Sequence, residues 1–343
     1  MNFLISGCEK PTPPAPTPVN PVEAGATGVY VLCEGLWQMN NSTLAFYDFA
    51  QGNFDADIFL TANGRGLGDT GSDLQIYGGK MYCVVNLSET VEVMNRSARS
   101  IKQISLSGKQ PRKIAFYQGF AYVSCYNGDI LKIDTATLEV VASQQAGSNP
   151  DGLCVANGKL YVANSGGLNY PNYDNTVTVF DLATFTSVAT ITVGLNPTRM
   201  AADAYGDVYL VCNGNYTDEA ASFHRINSQT DAVEQTFDFP VTNFAINDNR
   251  AYIYYYDYAT QQSAIKVLDV SSESIINNNF ISDGTTIQTP YSIAVNSANG
   301  DVYISDVYDY TTNGDVLCFS ADGRLKFKFE AGVNPAAVVV VNN

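Results

Sequence analysis

The sequence predicts an all-β fold, a seven-bladed β-propeller with four-stranded blades. Three observations predict it. A tyrosine recurs seven times along the chain, a proline-containing turn recurs ahead of most of these tyrosines, and the C-terminal segment supplies the one strand that the first repeat lacks. The 22 tyrosines and 27 glycines also favour strands joined by tight turns over a helical domain.

The clearest repeat begins at Asn149-Pro150 and ends at Gly194. It holds four apolar-rich runs of strand length bounded by turn residues, at 149–156, 159–164, 175–181 and 187–194. Asn157-Gly158, between the first two runs, is a strong signal for a two-residue hairpin. One such four-stranded sheet cannot bury both of its faces alone, so we expect the repeats to stack radially around a channel.

The second strand of each repeat carries a tyrosine, at intervals of 39 to 52 residues, and these seven markers imply seven blades. They are Tyr30, Tyr82, Tyr122, Tyr161, Tyr209, Tyr252 and Tyr303. The first strand of a blade begins at a recurring X-Pro pair: Gln110-Pro111, Asn149-Pro150, Asn196-Pro197, Phe239-Pro240 and Thr289-Pro290, with Gly71 in the second blade.

The first blade has no first strand before Tyr30, and the end of the chain supplies one. Residues 334–341 are a first strand with no second strand after it. We therefore expect this strand to pair with residues 28–33 and complete the first blade, which removes two exposed sheet edges at once.

The fourth repeat resembles the YVTN-type propeller repeat nearly throughout Asn175–Gly194 and the following Asn196-Pro197. With the N-terminal motif described next, the chain resembles the surface-layer-type propeller lipoproteins of Gram-negative bacteria over residues 26–343. This resemblance implies a fold and not a chemistry. Among the lipoproteins that it resembles are those that capture cobalamin for a TonB-dependent transporter.

Leu4-Ile5-Ser6-Gly7-Cys8 resembles the lipobox of bacterial lipoproteins, which implies cleavage before Cys8 and its lipidation. No basic n-region precedes it and the apolar run is short, which indicates a truncated or misassigned start. We interpret residues 1–25 as a lipoprotein signal remnant and Pro-rich tether, which would place residues 26–343, the propeller, at the cell surface on the outer membrane. The alternative is a disordered leader without consequence.

Charge and composition exclude several classes of partner. The net charge is -16, which repels nucleic acid and anionic membrane surfaces, so we expect membrane contact only through the lipid anchor. No window approaches the ~18 apolar residues of a spanning helix.

The cysteines and the one histidine offer little chemistry. Cys33, Cys125 and Cys212 each lie three residues after a marker tyrosine, so they occupy equivalent places in different blades and should be buried, unpaired core residues. No Cys/His cluster is present, and we predict no metal site and no cofactor. His224, the single histidine, is best interpreted as a packing residue, and the recurring Asp48, Asp134, Asp181 and Asp269 as turn formers.

Strand direction alternates within a blade, so the loops from strand two to strand three share one rim with the connections between blades. Five of these loops are long and rich in aromatic residues: 34–41, 165–174, 213–220, 255–262 and 306–313. The residues after the repeated prolines lie beside them. We therefore predict a ligand site formed by Trp37, Asp73, Arg112, Tyr126, Asp151, Tyr170, Tyr173, Arg199, Tyr216, Asn243, Tyr256, Tyr291 and Tyr308.

The leading functional hypothesis is a non-catalytic surface protein that captures a nutrient, with a corrinoid such as cobalamin implied by the resemblance, and that acts as a monomer outside a complex with a TonB-dependent transporter. A glycan- or protein-binding propeller is equally compatible with aromatic platforms and amide groups. A propeller enzyme of the lactonase or quinoprotein type is the third hypothesis, and the near absence of histidine weighs against it.

Overall fold

A computed structural model describes residues 27–342, which form seven four-stranded antiparallel sheets and one short helix. The predicted seven-bladed propeller is confirmed. The predicted tether, with Cys8, lies outside the described residues. None of the helices within residues 27–342 is long and apolar enough to cross a membrane.

The first half of the described residues, 27–181, contains one helix, α1 (Ile58–Asn63), and fourteen strands. These are β1 (Gly28–Cys33), β2 (Thr43–Asp48), β3 (Phe54–Asp55), β4 (Gly71–Tyr77), β5 (Lys80–Val85), β6 (Thr90–Asn95), β7 (Ser100–Ser105), β8 (Pro111–Tyr117), β9 (Phe120–Cys125), β10 (Asp129–Asp134), β11 (Val140–Gln145), β12 (Pro150–Ala156), β13 (Lys159–Asn164) and β14 (Thr176–Asp181).

The second half contains fourteen further strands. These are β15 (Thr186–Thr192), β16 (Pro197–Ala202), β17 (Val208–Cys212), β18 (Ser222–Asn227), β19 (Ala232–Phe237), β20 (Asn243–Asn247), β21 (Arg250–Asp257), β22 (Gln262–Asp269), β23 (Ser274–Asn277), β24 (Pro290–Val295), β25 (Val302–Asp306), β26 (Asn313–Phe319), β27 (Leu325–Val333) and β28 (Pro335–Val341).

Blades 2 to 7 each take four consecutive strands, from β4–β7 to β24–β27, and blade 1 has the order β28-β1-β2-β3. The closing pair is antiparallel and runs from Gly28 opposite Val341 to Cys33 opposite Pro335. The predicted closure of the ring by the end of the chain is therefore confirmed. Asn334, which the sequence places in this strand, instead precedes it with a left-handed φ of 55°.

The seven marker tyrosines all lie on the second strands and are buried. Several reach the outer hairpin of the next blade. Tyr161, in blade 4, donates to a carboxylate oxygen of Asp231 in blade 5 at 2.5 Å and approaches the carbonyl of Ser228 at 3.3 Å. Tyr209 reaches the carbonyl of Val270 in the same way at 3.3 Å. In blades 4 and 5 the marker tyrosine therefore also joins its blade to the next one.

Two details differ from the expected repeat. The fourth strand of blade 1, β3, has only two residues, and α1 follows it. Asp57 caps the helix by accepting from the backbone N–H of Leu60, and Gly64 ends it with a left-handed φ of 67°. In blade 6, half of the predicted loop 255–262 is strand, because β21 extends to Asp257 and β22 begins at Gln262, which leaves a four-residue turn.

The six cysteines of the described residues are buried and free, which confirms the prediction for Cys33, Cys125 and Cys212. Burial raises the pKa of the Cys154 thiol to about 12, which makes it a poor nucleophile. The recurring aspartates form turns as expected; Asp48, for example, accepts from the backbone N–H groups of Ala50 and Gln51.

Charging the closing strand should open the ring. Val338 is buried opposite Val31, so Val338→Asp is expected to lower the free energy of unfolding by about 3 kcal/mol or more, because a carboxylate is poorly solvated there. Val188→Asp, on an exposed outer strand, is the control and should change it by less than about 0.5 kcal/mol. Urea denaturation measures both; equal effects would contradict the role of the closing strand.

The tyrosine contacts between blades can be tested with a matched pair. Tyr161→Phe removes a hydrogen bond to a carboxylate and should cost about 2 kcal/mol of stability. The hydroxyl of Tyr82 is buried with no hydrogen-bond partner among residues 27–342, so Tyr82→Phe should be neutral or stabilising. Thermal and urea unfolding measure both variants. The free energy of unfolding should fall in Tyr161→Phe and should stay the same or rise in Tyr82→Phe.

Candidate ligand-binding site

The inner strands begin with an irregularity that directs side chains into the channel. In six of the seven blades the pairing register between strands one and two shifts by one residue near the start of the inner strand. Such bulges bend a strand and re-aim its side chains. Arg112, Asp151 and Tyr291 lie within these irregular steps, immediately after the repeated prolines.

A cavity of about 570 Å³ occupies the channel. Six of the predicted site residues line it together, which are Asp73, Arg112, Asp151, Arg199, Asn243 and Tyr291. They come from blades 2 to 7 in order, one from each blade. We call the end of the channel bordered by these residues and by Glu34 the channel mouth.

An ion pair joins blades 3 and 4 at the channel mouth. The Arg112 guanidinium donates to a carboxylate oxygen of Asp151 at 3.3 Å, and Tyr126 donates to the same oxygen at 3.2 Å. The guanidinium also lies over the Tyr126 ring, 4.7 Å from its centroid. Burial opposes ionisation of Asp151, but Arg112 and Lys113 outweigh it and hold the pKa of the carboxyl below its usual value.

The other carboxylates at the channel mouth are also occupied. Asp73 is buried and accepts from the backbone N–H groups of Leu74 at 2.9 Å and Ile114 at 3.0 Å. Glu34 accepts from the hydroxyl of Tyr291 at 2.8 Å. Burial, together with this carboxylate, raises the pKa of Tyr291 well above its usual value, so the phenol stays protonated.

Backbone carbonyls of the inner strands accept bonds from the neighbouring blades. The Ser72 hydroxyl donates to the carbonyl of Arg112 at 2.7 Å, and the Ser124 hydroxyl to that of Asp151 at 2.5 Å. Gly152 permits the close approach of blade 5, because a Cβ there would lie 1.8 Å from the carbonyl oxygen of Thr198. The side chains at the channel mouth are therefore carried by a rigid inner ring.

Three of the predicted site residues form a tyrosine cluster in the loops of blades 4 and 5. The rings of Tyr170 and Tyr173 meet edge to face at 6.1 Å, and those of Tyr173 and Tyr216 at 6.2 Å. Asn196 donates to the Tyr216 hydroxyl at 3.4 Å. We call these three the Tyr216 group; its outer members, Tyr170 and Tyr216, are about two-thirds exposed, at 68% and 66%.

A second cluster lies above blades 6 and 7. Tyr258 and Tyr310 approach through their hydroxyls at 3.2 Å, and Tyr310 meets the ring of Tyr291 edge to face at 5.8 Å. Tyr256, a predicted site residue, packs beneath Tyr258 at 4.8 Å and is itself buried. We call these four the Tyr258 group. It reaches the channel directly, since Tyr291 lines the cavity.

Two predicted residues stand apart from these clusters. Tyr308 donates to the carboxylate of Asp315 at 2.6 Å, and Lys328 binds the same carboxylate, so this side chain is held toward the outer strands of blade 7. Trp37 is 69% exposed on the loop after β1 and makes no aromatic contact within the described part of the chain. It lies three residues beyond Glu34.

Sequence reasoning did not select Glu34, Lys113 or Asn213, which all line the cavity. A signal for two of them was present. Glu34, like Tyr126 and Asn213, directly follows a cysteine that ends a second strand. The first residue after that strand faces the channel mouth, so the residue after each such cysteine could have been chosen.

The remaining candidates for chemistry serve the fold. The imidazole of His224 bonds to the hydroxyls of Ser222 at 2.8 Å and Thr236 at 3.0 Å, and burial lowers its pKa. Among residues 27–342, no three His, Cys, Asp or Glu side chains are grouped so that they could hold a metal ion.

Residues 27–330 match the family described as Domain of unknown function (DUF5074). The chain belongs to this family. The match covers all of the propeller except the end of β27 and the closing strand. No curated protein matches the sequence.

Solved structures share the fold of this DUF5074 chain at low identity. A quinoprotein alcohol dehydrogenase-like protein from Bacteroides thetaiotaomicron VPI-5482 has a TM-score of 0.68 at 15% identity, over 92% of this chain and 78% of that one. Hydrazine synthase of Kuenenia stuttgartiensis has a TM-score of 0.60 at 13% identity, over 78% and 93%. The computationally designed Ika8 protein has 0.57 at 14% identity, over 92% and 90%. These likenesses show the fold alone.

The ion pair at the channel mouth should make stability depend on pH. Because the pKa of Asp151 is lower in the folded protein, its stabilisation is present above about pH 4 and is lost as the pH falls through the folded-state pKa. Arg112→Met should lower the free energy of unfolding by about 3 kcal/mol at pH 7, and by much less near pH 3.

Lys102→Met provides the control, because its ion pair with Glu139 is exposed and should contribute less than about 1 kcal/mol. Urea unfolding across this pH range measures both variants. If Arg112→Met lowered the free energy of unfolding equally at pH 3 and pH 7, the charge of Asp151 would not be the cause of the destabilisation.

Proposed function

We propose that this DUF5074 chain is a non-catalytic ligand-binding propeller that captures a nutrient at the channel mouth. The observation that carries the proposal is a polar cavity of about 570 Å³ that the Tyr258 group reaches through Tyr291, with the Tyr216 group in loops of the same rim. Small-molecule pockets typically measure ~300–1,000 Å³ and combine aromatic area with a few fixed polar groups.

The ligand that we propose first is a corrinoid such as cobalamin. Its broad ring is fringed with amides, so it needs aromatic platforms for its faces and hydrogen-bond partners for its edge. The tyrosine groups offer the platforms. Gln75 and Asn213 line the cavity and offer amide partners. Asp73 and Asp151 add fixed acceptors beside them.

We further propose that the protein is lipid-anchored through Cys8 at the cell surface, on the outer membrane, and passes its ligand to a TonB-dependent transporter. This part of the proposal is supported by the resemblance of residues 4–8 to a lipobox. The propeller itself would be a monomer outside that complex. The net charge of -16 disfavours nucleic acid and an anionic membrane surface as alternative partners.

A glycan- or protein-binding function is the second candidate. The exposure of Trp37 and Tyr170 favours it, since both rings lie outside the cavity and are suited to stacking against a sugar or a protein surface. A catalytic propeller of the lactonase or quinoprotein type is a third possibility, and it would require catalytic or cofactor-binding groups converging on the channel.

A thermal-shift screen against cobalamin, cobinamide and a glycan panel tests the proposal. A ligand at 1,000 times its dissociation constant adds ~4 kcal/mol of stability, and a bound corrinoid also shifts its visible spectrum. Tyr173→Ala and Tyr258→Ala should each abolish most of the corrinoid shift. A glycan shift that is lost in Trp37→Ala would instead favour the second candidate.

Tyr205→Ala is the matched control for these variants. Tyr205 is similarly exposed, but it bonds to Asn249, in the hairpin between β20 and β21, and so lies on the opposite rim. The Tyr205→Ala variant should bind every ligand with the affinity of the wild-type protein. Loss of binding in Tyr205→Ala together with full binding in Tyr258→Ala would show that the ligand binds at the opposite rim, which contradicts the proposal.

A further inference from the structure

We propose that the channel mouth contains a subsite for a single anionic group, a carboxylate or a phosphate, held by the guanidinium of Arg199. The inference deepens the proposed function, because it assigns a chemical class to one part of the captured ligand. Arg199 lies on β16 of blade 5 and lines the cavity, half-buried.

Three cationic side chains line the cavity, those of Arg112, Lys113 and Arg199. Arg112 and Lys113 already have partners within the protein. Arg112 pairs with Asp151, and the ammonium of Lys113 donates to the backbone carbonyl of Ser72. By contrast, no ion pair within residues 27–342 includes Arg199, and its guanidinium donates to no oxygen of those residues. A planar group of five N–H donors therefore faces the cavity without an acceptor.

The carboxylates nearby do not need Arg199 as a hydrogen-bond partner. Asp73 is held by backbone N–H groups, Asp151 by Arg112 and Tyr126, and Glu34 by Tyr291. Arg96, Arg99 and Arg250 also have no ion pair within residues 27–342, but of these four arginines Arg199 is the one that lines the cavity. A bidentate arginine matches the planar oxygens of a carboxylate or phosphate.

The field of Arg199 reaches the centre of the channel mouth. Burial raises the pKa of Tyr254 to about 12, and Arg199 opposes this rise. It likewise opposes the rise of the pKa of Tyr291, which burial and Glu34 cause. Arg199 therefore lies near enough to interact with both phenols, and it shares the cavity with Tyr291.

The charge of the whole chain restricts the class of ligand. A net charge of -16 repels polyanions over long distances, whereas one acidic group can be neutralised locally by one guanidinium. The geometry thus favours a ligand with a largely neutral, aromatic or amphipathic body and one acidic group. The body would contact the tyrosine groups while the acid lies against Arg199.

Calorimetric titration with four simple probes tests the subsite. Benzoate and phenyl phosphate carry an aromatic body with each acid, and acetate and inorganic phosphate carry the acid alone. At low ionic strength we expect saturable binding of the aromatic acids and weaker binding of the simple ions. The ratio of benzoate to phenyl phosphate affinity distinguishes a carboxylate from a phosphate preference.

Arg199→Gln should weaken binding of the preferred aromatic acid at least tenfold, and Arg199→Lys should restore part of it. Arg250→Gln is the matched control, since Arg250 is exposed at the opposite rim and should leave binding unchanged. Wild-type protein that binds none of the probes, or an Arg199→Gln variant that binds as tightly as wild type, would overturn the subsite.

These outcomes are separable from those of the corrinoid screen. If corrinoids bind with equal affinity to the wild type and Arg199→Gln, and no probe binds, the proposed capture function stands and the subsite is wrong. If aromatic acids bind through Arg199 while no corrinoid does, the subsite stands and the proposed corrinoid is wrong.

Discussion

The pairing of the last strand with the first is the contact on which the rest of the structure depends. It joins residues from opposite ends of the chain, from Gly28 with Val341 to Cys33 with Pro335, and it buries Val29 and Val31 between blades 1 and 7. Without it, two sheet edges and two inner blade faces would meet water. The channel mouth exists only in the closed ring, because Glu34 of blade 1 binds Tyr291 of blade 7 across the same junction.

Within the closed ring, local chain geometry determines which side chains reach the channel. Asn149, Asn196 and Asn334 adopt a left-handed φ immediately before a proline, and asparagine tolerates that conformation better than most residues. The register of the inner strand then shifts, and the next side chains turn toward the axis. A short sequence pattern therefore leads through a backbone irregularity to a place at the site.

Periodicity made the ring and its closure predictable, because each blade has the same buried place on its second strand and a tyrosine fills it in all seven. Partners across blades were not predictable in the same way. Arg112 and Asp151 are 39 residues apart, and Glu34 and Tyr291 are 257 apart, so neither pair leaves a local signal. Loop aromatics were harder again. Tyr256 is buried because β21 continues through it to Asp257, and the Tyr308 hydroxyl donates to Asp315 and not toward the channel.

At the inner-strand irregularity, the contacts that hold the ring together involve the backbone, whereas the side chains that face the channel determine what it can bind. Blades 2 to 7 each present one side chain to the channel, and these side chains are of four types: Asp73, Arg112, Asp151, Arg199, Asn243 and Tyr291. The backbone at Arg112, Asp151 and Tyr291 is tied to the adjacent blade through carbonyl groups, which are the same for every amino acid. A change at one such position alters a single sector of the channel, so related chains could acquire new ligands one blade at a time.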